Sequence, residues 1–279
     1  MKLSLAYSPC PNDTFIFDAI ANKRIDLEGL EFEITLGDVQ ELNERAFQNI
    51  PDVTKVSYHA GAYLLDGYQF LDSGSALGHN CGPLLISKNP IDVQQIKSKR
   101  IGIPGRHTTA YFLLKYAFGY DIAVEEMLFS DIEKEVLDGT IDFGLIIHEN
   151  RFTYADKGLV KILDLGEYWE EKTQLPIPLG GIMVKKSLPI AVKEKMNRIM
   201  RRSVMYAMDY PDAALPYMSC HAQEMNPDVM RSHVHLYVNA FTIDLGNKGR
   251  EAVHYLLKIA NPTAYSLHSN DIFVVNSLC

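Results

Sequence analysis

The sequence predicts an α/β protein of two lobes, with the second lobe inserted into the first. Two observations lead to this prediction. Short β-branched segments alternate with segments of helical spacing, which is typical of a largely parallel sheet with helices on its faces. The proline-stiffened, extended segment 175–184 is typical of a strand that returns to the first lobe. We place the first lobe at residues 1–88 and 184–279 and the second at 89–183, joined by two crossing strands.

Composition excludes several classes of protein. A chain of 279 residues can bury a sizeable core, and 47% hydrophobic with 22% charged residues is typical of a globular domain. The net charge of −8 provides no basic patch for nucleic acid or an anionic membrane surface, and no apolar run is long enough to span a bilayer. The widely spaced cysteines form no Cys-x-x-Cys pair, so we expect no zinc site, no disulfide framework and a reduced, cytoplasmic setting. They are Cys10, Cys81, Cys220 and Cys279.

The first lobe begins with a strand at Leu3–Tyr7 and a loop at Ser8–Thr14. We interpret Asn12 and Asp13 as caps of a helix over Phe15–Ala21. The free amides at the start of such a helix make a candidate anion site. Further elements predicted here are strands at 30–36 and 52–57 and a helix at 39–49. Lys55–Ser57 should therefore reach the same carboxyl edge of the sheet as the loop that carries Asn12.

The second lobe repeats the pattern, and a run of helices follows it. Within the second lobe we predict strands at 100–104, 141–147 and 160–163, helices at 111–118 and 131–137, and a helix or loop from Leu165. After the return segment, helices at 189–209, 211–222, 226–236 and 247–259 should cover the first lobe.

A polar cluster at the end of one buried strand is the main candidate for a site. Ile141–Ile147 is β-branched and nearly uncharged, and His148, Glu149, Asn150 and Arg151 follow it directly. Ligands of open α/β sheets bind outside the carboxyl ends of the strands. An imidazole, with an ordinary pKa of about 6.5, accepts a proton readily at neutral pH. The alternative is that His148 only satisfies a strand-end carbonyl.

Other polar segments allow two interpretations each. The amides and hydroxyls of Gly105–Ala110 suit a carboxylate or phosphate, but Thr108 is equally typical of a simple helix cap. The loop lacks the Gly-Lys-Ser/Thr and Gly-x-Gly-x-x-Gly patterns of nucleotide sites. A lone lysine such as Lys55 is more often solvated than bound to a ligand. Trp169 with Tyr168 is more often core than lid.

Several sequence strings together resemble one family. They are S-P-C-P-N-D-T-F at 8–15, K-V-S-Y-H-A-G-A-Y at 55–63, G-R-H-T-T-A at 105–110, I-I-H-E-N-R-F-T-Y at 146–154, P-I-P-L-G-G-I at 176–182 and Y-V-N-A-F-T at 237–242. Jointly they are similar to the 1,4-dihydroxy-6-naphthoate synthases of the futalosine route to menaquinone. Tyr168 departs from the pattern, which has a second tryptophan beside Trp169.

The resemblance implies a type II periplasmic-binding-protein-like fold used as a cytoplasmic lyase, with no metal and no organic cofactor. Its implied substrate is a small-molecule carboxylate, cyclic dehypoxanthinyl futalosine. Carried over by position, His148 is the general base. The implied substrate-binding residues are Lys55, Val56, Ser57, Thr109 and Ala110, with Thr108, Asn12, Asn150 and Arg151 as further candidates.

Two other functions fit the same sequence. A chorismate dehydratase of the same pathway would share the fold and a base-initiated reaction. A solute-binding protein would bind a small anion without catalysis. In each case we expect a monomer or homodimer that contacts neither nucleic acid nor membrane. Incubation with each substrate, followed by detection of a naphthoate product, discriminates among the three.

Overall fold

The chain forms two compact units and passes between them twice. The computed structural model describes residues 1–222 and 226–274, so Cys279 lies outside the described part. The first unit comprises Met1–Gly78 and the chain from Pro178 onward, and the second comprises His79–Ile177. The sequence-based boundaries lie at residues 88 and 184. In the structure the strand at Leu84–Ser87 pairs with strands of the second unit, so the first crossing precedes it.

The first unit is built on a mixed sheet. Its strands are β1 Lys2–Tyr7, β2 Glu31–Leu36, β3 Val53–Ser57, β4 Tyr68–Phe70, β5 Ala76–Gly78 and, after the second unit, the strand Ile177–Lys185. The early helices are α1 Pro11–Ala21, α2 Val39–Phe47 and α3 Tyr58–Gly61.

The second unit has its own mixed sheet. Its elements are β6 Leu84–Ser87, β7 Arg100–Ile103, α4 Thr109–Phe118, β8 Ala123–Glu126, α5 Ile132–Asp138, β9 Phe143–Ile146, α6 Asn150–Thr153, β10 Val160–Asp164 and α7 Leu165–Thr173. Short 3₁₀ turns lie at Val93–Ser98 and Ala155–Lys157. The sheet order is β10-β6-β9-β7-β8.

The chain then completes the first unit with β11 Ile177–Lys185 and a series of helices. These are α8 Ile190–Asp209, α9 Leu215–His221, α10 Pro227–Tyr237, α11 Ala240–Ile243, α12 Gly246–Ala260 and α13 Ser269–Ile272, with 3₁₀ turns at Pro211–Ala214 and Pro262–Ser266. The sheet order is β2-β1-β3-β11-β4, and β5 pairs with β11.

The prediction of a largely parallel sheet is correct for part of each unit only. β1 is parallel to β2 and β3, and β7 is parallel to β8 and β9. β11 is antiparallel to both β3 and β4, and β6 is antiparallel to β9 and β10. The strands next to the crossings thus run against their neighbours, and the alternation of strands and helices does not reveal this.

The core of the first unit lies between its sheet and the helices packed on it. α1 packs against α8, and Phe15, Phe17 and Ile20 bury their side chains together with Met196 and Met200. Burial of a large apolar side chain contributes roughly 1.5–3 kcal/mol, so these contacts fix α1 firmly on the sheet. α1 therefore holds the chain that follows β1 in a defined position.

The start of α1 corrects one prediction. The helix begins at Pro11 with Cys10 in the N-cap position and no side-chain cap. Proline suits this first position because its missing N–H would have no partner there. Asn12 and Asp13 therefore lie within the first turn and are not caps. Both side chains are buried.

Among the described residues, no helix combines the length and apolar character needed to cross a membrane.

Candidate functional site

The first unit brings two of the predicted segments to one edge of its sheet. β1 and β3 are parallel neighbours, with Leu5 opposite Val53 and Ala6 opposite Thr54. The loop after Tyr7 and the end of β3 at Lys55–Ser57 therefore leave the same carboxyl edge, as predicted.

Lys55 is not solvated, contrary to the usual behaviour of a lone lysine. Its ammonium lies 2.6 Å from Oδ1 of Asp13, and the two side chains are 7% and 2% exposed. A charge buried to this extent must be paired, and the carboxylate supplies the pairing. Asp13, predicted from the sequence to be a helix cap, is the partner.

The Asp13 carboxylate is saturated with donors. Oδ2 accepts from the hydroxyl of Ser8 at 2.8 Å and from its amide at 3.3 Å, while Oδ1 also accepts from Nδ2 of Asn12 at 2.9 Å. The Oδ1 atom of Asn12 lies 2.8 Å from Nε2 of His233 on α10. A buried chain of polar contacts therefore joins His233 to Lys55.

Asn43 fixes the end of β3. Its Oδ1 accepts from the Ser57 amide at 2.9 Å, and its Nδ2 donates to the Ser57 hydroxyl at 3.2 Å. Asn43 is fully buried on α2. Val56, the predicted substrate-binding residue between Lys55 and Ser57, is also fully buried, and its backbone pairs with Gly181.

Gly180 leaves room for the Lys55 side chain. A Cβ at position 180 would lie 2.9 Å from the Val56 carbonyl oxygen and 3.0 Å from Cε of Lys55. The backbone oxygen cannot move without disturbing the pairing of β3 with β11. The glycine therefore allows both the close strand approach and the path of the lysine.

Behind this edge, Tyr58 is fully buried and its hydroxyl contacts Oγ of Ser75 at 2.8 Å. Burial raises the pKa of the Tyr58 phenol above its ordinary value. The phenol therefore stays protonated and acts as a neutral hydrogen-bonding partner of Ser75.

The second unit brings the other predicted segments to one edge in the same way. β7 and β9 are parallel neighbours, with Ile101 opposite Phe143 and Gly102 opposite Gly144. Gly105–Ala110 follows β7 and His148 follows β9. Both segments therefore leave the carboxyl edge of this sheet.

His148 has an unusual backbone conformation. Its φ is +58°, in the left-handed region that non-glycine residues rarely adopt. Such a conformation costs about 1 kcal/mol or more and is concentrated at functional sites. The ring is partly exposed and contacts Phe129 edge to face, with ring centroids 5.1 Å apart. The turn thus presents an imidazole at the strand end with an aromatic wall on one side.

Asn150 and Arg151 are engaged within the second unit. Nδ2 of Asn150 donates to Oε2 of Glu133 at 2.6 Å, and Lys157 donates to the same oxygen at 2.6 Å. Arg151 donates to Oδ2 of Asp164 at 2.6 Å and to backbone carbonyls of residues 80 and 82. These contacts anchor α6, which begins two residues after His148.

Thr108 is the N-cap of α4. Its hydroxyl accepts from the Tyr111 amide at 3.2 Å and donates to the Gly105 carbonyl at 2.7 Å. Thr109 and Ala110 are the first two residues of the helix and are buried. The first amides of a helix point out of its N-terminal end, a direction that suits donation to an anion.

The remaining aromatic and histidine candidates have structural contacts. Trp169 is fully buried, packs against Tyr116 with centroids 5.2 Å apart and donates to the Pro176 carbonyl at 3.2 Å, so the core interpretation is correct. His79 contacts Oε2 of Glu170. His233 is buried and His235 is exposed, so the two face different ways on α10.

Sequence reasoning missed Asn43, Asp13, Glu133, Gly180 and His233 as neighbours of the predicted residues. Asp13 and Gly180 lie inside strings that were singled out, at 8–15 and 176–182. The others lie on α2, α5 and α10, distant in sequence from the residues they contact. Only the folded chain brings them together.

Most of the chain matches one family of proteins. The family model described as menaquinone biosynthesis matches residues 3–262. A relative from Thermus thermophilus, named 1,4-dihydroxy-6-naphthoate synthase, is 46% identical over 252 residues, which cover 90% of this chain and 91% of the relative. A relative from Streptomyces coelicolor with the same name is 41% identical over 260 residues, with 91% of each chain covered.

Solved structures resemble the fold. A protein from Archaeoglobus fulgidus superposes with a TM-score of 0.88 at 36% identity, covering 93% of this chain and 96% of its own. A Candida albicans protein described as having the generic periplasmic binding protein fold gives a TM-score of 0.64 at 15% identity, with 97% and 93% covered. The latter likeness shows the fold alone, and the predicted periplasmic-binding-protein-like fold is confirmed.

Proposed function

This chain belongs to the menaquinone biosynthesis family that includes the 1,4-dihydroxy-6-naphthoate synthases, and from this premise we propose that it converts cyclic dehypoxanthinyl futalosine to 1,4-dihydroxy-6-naphthoate. The reaction removes a proton, breaks a carbon–carbon bond and releases a sugar-derived fragment. The electron pair left by the removed proton forms a carbonyl on the released fragment, and the electron pair of the broken carbon–carbon bond enters the ring system that becomes aromatic. Aromaticity of the product supplies the driving force.

In this proposal His148 is the proton acceptor. The observation that carries this assignment is the left-handed backbone of His148 at the carboxyl end of β9. A strained conformation at a strand end is retained only where the surrounding structure imposes it, and α6 with its Glu133 and Arg151 contacts does so here. A positioned base typically contributes roughly 10²–10⁴ in rate.

The substrate carboxylate binds, in the same proposal, to the first amides of α4 at Thr109 and Ala110. The positive end of the helix dipole suits an anion. Phe129 limits the positions open to the imidazole. The site for the substrate carboxylate and the base His148 lie at the same edge of one sheet. A substrate held there is oriented for removal of its proton, and such fixed geometry raises the rate.

Lys55, Val56 and Ser57 bind another part of the substrate. Because Asp13 already neutralises the ammonium of Lys55, this part of the site is close to neutral overall. It therefore suits hydroxyl and carbonyl groups of the substrate better than a second anion. Asn43 orients the Ser57 hydroxyl for such a contact.

Parallel incubations test the proposed function. The purified protein is given cyclic dehypoxanthinyl futalosine in one reaction and chorismate in another, and products are separated and identified by mass and absorbance. We expect 1,4-dihydroxy-6-naphthoate from the first substrate and unchanged chorismate in the second. Dehydration of chorismate without naphthoate formation, or tight binding of the futalosine derivative without turnover, would overturn the proposal.

A further inference from the structure

His233 lies far from the predicted substrate-binding residues in sequence, yet a chain of contacts connects it to one of them. The chain runs from α10 through α1 to β3 within the first unit. We propose that His233 is a positioning residue that acts through Asn12 and Asp13 on the ammonium of Lys55. Its importance for substrate binding rests on the proposed function, whereas its effect on Lys55 does not.

The orientation of the Asn12 amide follows from its neighbours. Nδ2 lies 2.9 Å from the Asp13 carboxylate, which only accepts hydrogen bonds. A flipped amide would set two oxygens against each other at this distance. The Asn12 oxygen therefore faces Nε2 of His233, 2.8 Å away, and Nε2 carries the proton that this oxygen accepts.

Burial makes this arrangement sensitive to loss of one member. Counted over whole residues, His233 is 0% exposed, Asp13 1%, Lys55 6% and Asn12 8%. A buried polar group that loses its partner must move or admit water. Loss of the His233 donor would leave the Asn12 oxygen unsatisfied and free the Asn12 amide to turn. Asp13 would then lose one donor on the oxygen that holds Lys55.

The ring of His233 is itself held in place. Tyr237, one turn later on α10, lies with its ring centroid 4.7 Å from that of His233. α10 also packs on α1, the helix that carries Asn12 and Asp13. The imidazole therefore donates from a fixed position. Through Asn12 and Asp13, that position helps to determine where the ammonium of Lys55 lies.

Three variants test the inference. His233→Leu replaces the imidazole with an apolar side chain of similar size and so removes the donor. His233→Gln restores a donor, because its side-chain amide lies near the position of Nε2. His235→Leu, on the exposed side of the same helix, is the matched control. The readout is the rate at which limiting acetic anhydride acetylates Lys55 in the folded, unliganded protein, followed by peptide mass spectrometry.

We expect acetylation of Lys55 to be about tenfold faster in His233→Leu, the ratio that corresponds to loss of one buried hydrogen bond. His233→Gln and His235→Leu should stay within about twofold of the unaltered protein, as surface and rescued positions do. If His233→Leu does not fold, Asn12→Ala breaks the same chain one step nearer Lys55 and should give the same acceleration. Unchanged acetylation, or equal acceleration in His233→Gln and His233→Leu, would overturn the inference.

Kinetics separate this inference from the proposed function. With cyclic dehypoxanthinyl futalosine, His233→Leu should raise KM about tenfold and leave kcat within about twofold, because only a binding group is displaced. Faster acetylation of Lys55 in a protein that does not turn over this substrate would support the inference and refute the proposed function. A loss of kcat without a change in KM or in acetylation would refute the inference alone.

Discussion

Arg151 and Asp164 form an ion pair inside the second unit, with Nη2 2.6 Å from Oδ2 and the carboxylate side chain 1% exposed. The same guanidinium donates to the carbonyls of Asn80, at 3.0 Å, and of Gly82. The other oxygen of Asp164 caps α7 by accepting from the Gly166 amide at 2.8 Å. Arg151 therefore joins α6, the end of β10 and the chain before β6.

This arrangement predicts a structural effect of Arg151. Arg151→Met should lower the free energy of unfolding by about 3 kcal/mol, because it leaves a buried carboxylate unpaired. Urea denaturation measures the change. Lys97→Met is the control, since Lys97 and Asp121 are exposed and 3.6 Å apart, and it should change the free energy of unfolding by less than about 0.5 kcal/mol. Equal stability of the two variants would contradict the structural role.

Gly180 predicts an effect of one added methyl group. Gly180→Ala should lower the free energy of unfolding by about 1–3 kcal/mol, because its Cβ would press on the Val56 carbonyl and on Lys55. Gly67→Ala is the matched control, since the nearest atom to its Cβ is 3.9 Å away. Thermal and urea unfolding of both variants measure the difference. A neutral Gly180→Ala would show that β11 is not pressed against β3 at this position.

Glu28 predicts a pH dependence of stability. Hydrogen bonds from Arg198, with further support from Arg202, lower the pKa of Glu28 from 4.5 to about 2 against the opposing effect of burial. A carboxyl whose pKa is lower in the folded state stabilises the fold above pH 4.5, and this stabilisation is lost as the pH falls toward 2. We expect Glu28→Gln to be about 1 kcal/mol less stable at pH 7.

The difference in free energy of unfolding between the unaltered protein and Glu28→Gln should shrink as the pH falls from 4.5 to 2. This interval is set by the unfolded and folded pKa values of Glu28. Urea titrations at a series of pH values in this interval provide the test. A difference that stays constant down to pH 2 would mean that the Arg198 and Arg202 contacts do not hold the carboxylate.

The sequence predicted the carboxyl edges of both sheets correctly because local patterns specify them. Runs of β-branched residues followed by polar residues located β3 and β9, and thereby Lys55 and His148. The antiparallel placement of β11 was not predicted, because strand direction depends on the path of the chain through a whole unit. The partners of Lys55 and Asn150 were missed for a similar reason. Asp13 resembles a cap in sequence, and Glu133 lies on a separate helix.

The left-handed turn at His148 also has no sequence signature. Histidine, like asparagine and aspartate, adopts positive φ more often than other non-glycine residues, but most histidines do not, so the residue type alone does not predict this turn. This turn is nevertheless the feature that most distinguishes His148 from the other histidines in the described part of the chain. It also indicates which substitution at position 148 should remove the basic nitrogen without disturbing the fold.

The central claim is that the imidazole of His148 accepts the substrate proton. Asparagine tolerates the left-handed backbone but has no basic ring nitrogen, so His148→Asn should fold with unchanged thermal stability and bind cyclic dehypoxanthinyl futalosine with similar affinity. His235→Asn on α10 is the control for a histidine substitution as such. The decisive measurement is kcat for naphthoate formation. We predict that kcat of His148→Asn falls by a factor of about 10²–10⁴. A kcat that stays within about twofold of that of the unaltered protein would be a much smaller loss than a missing general base causes, and it would contradict the claim.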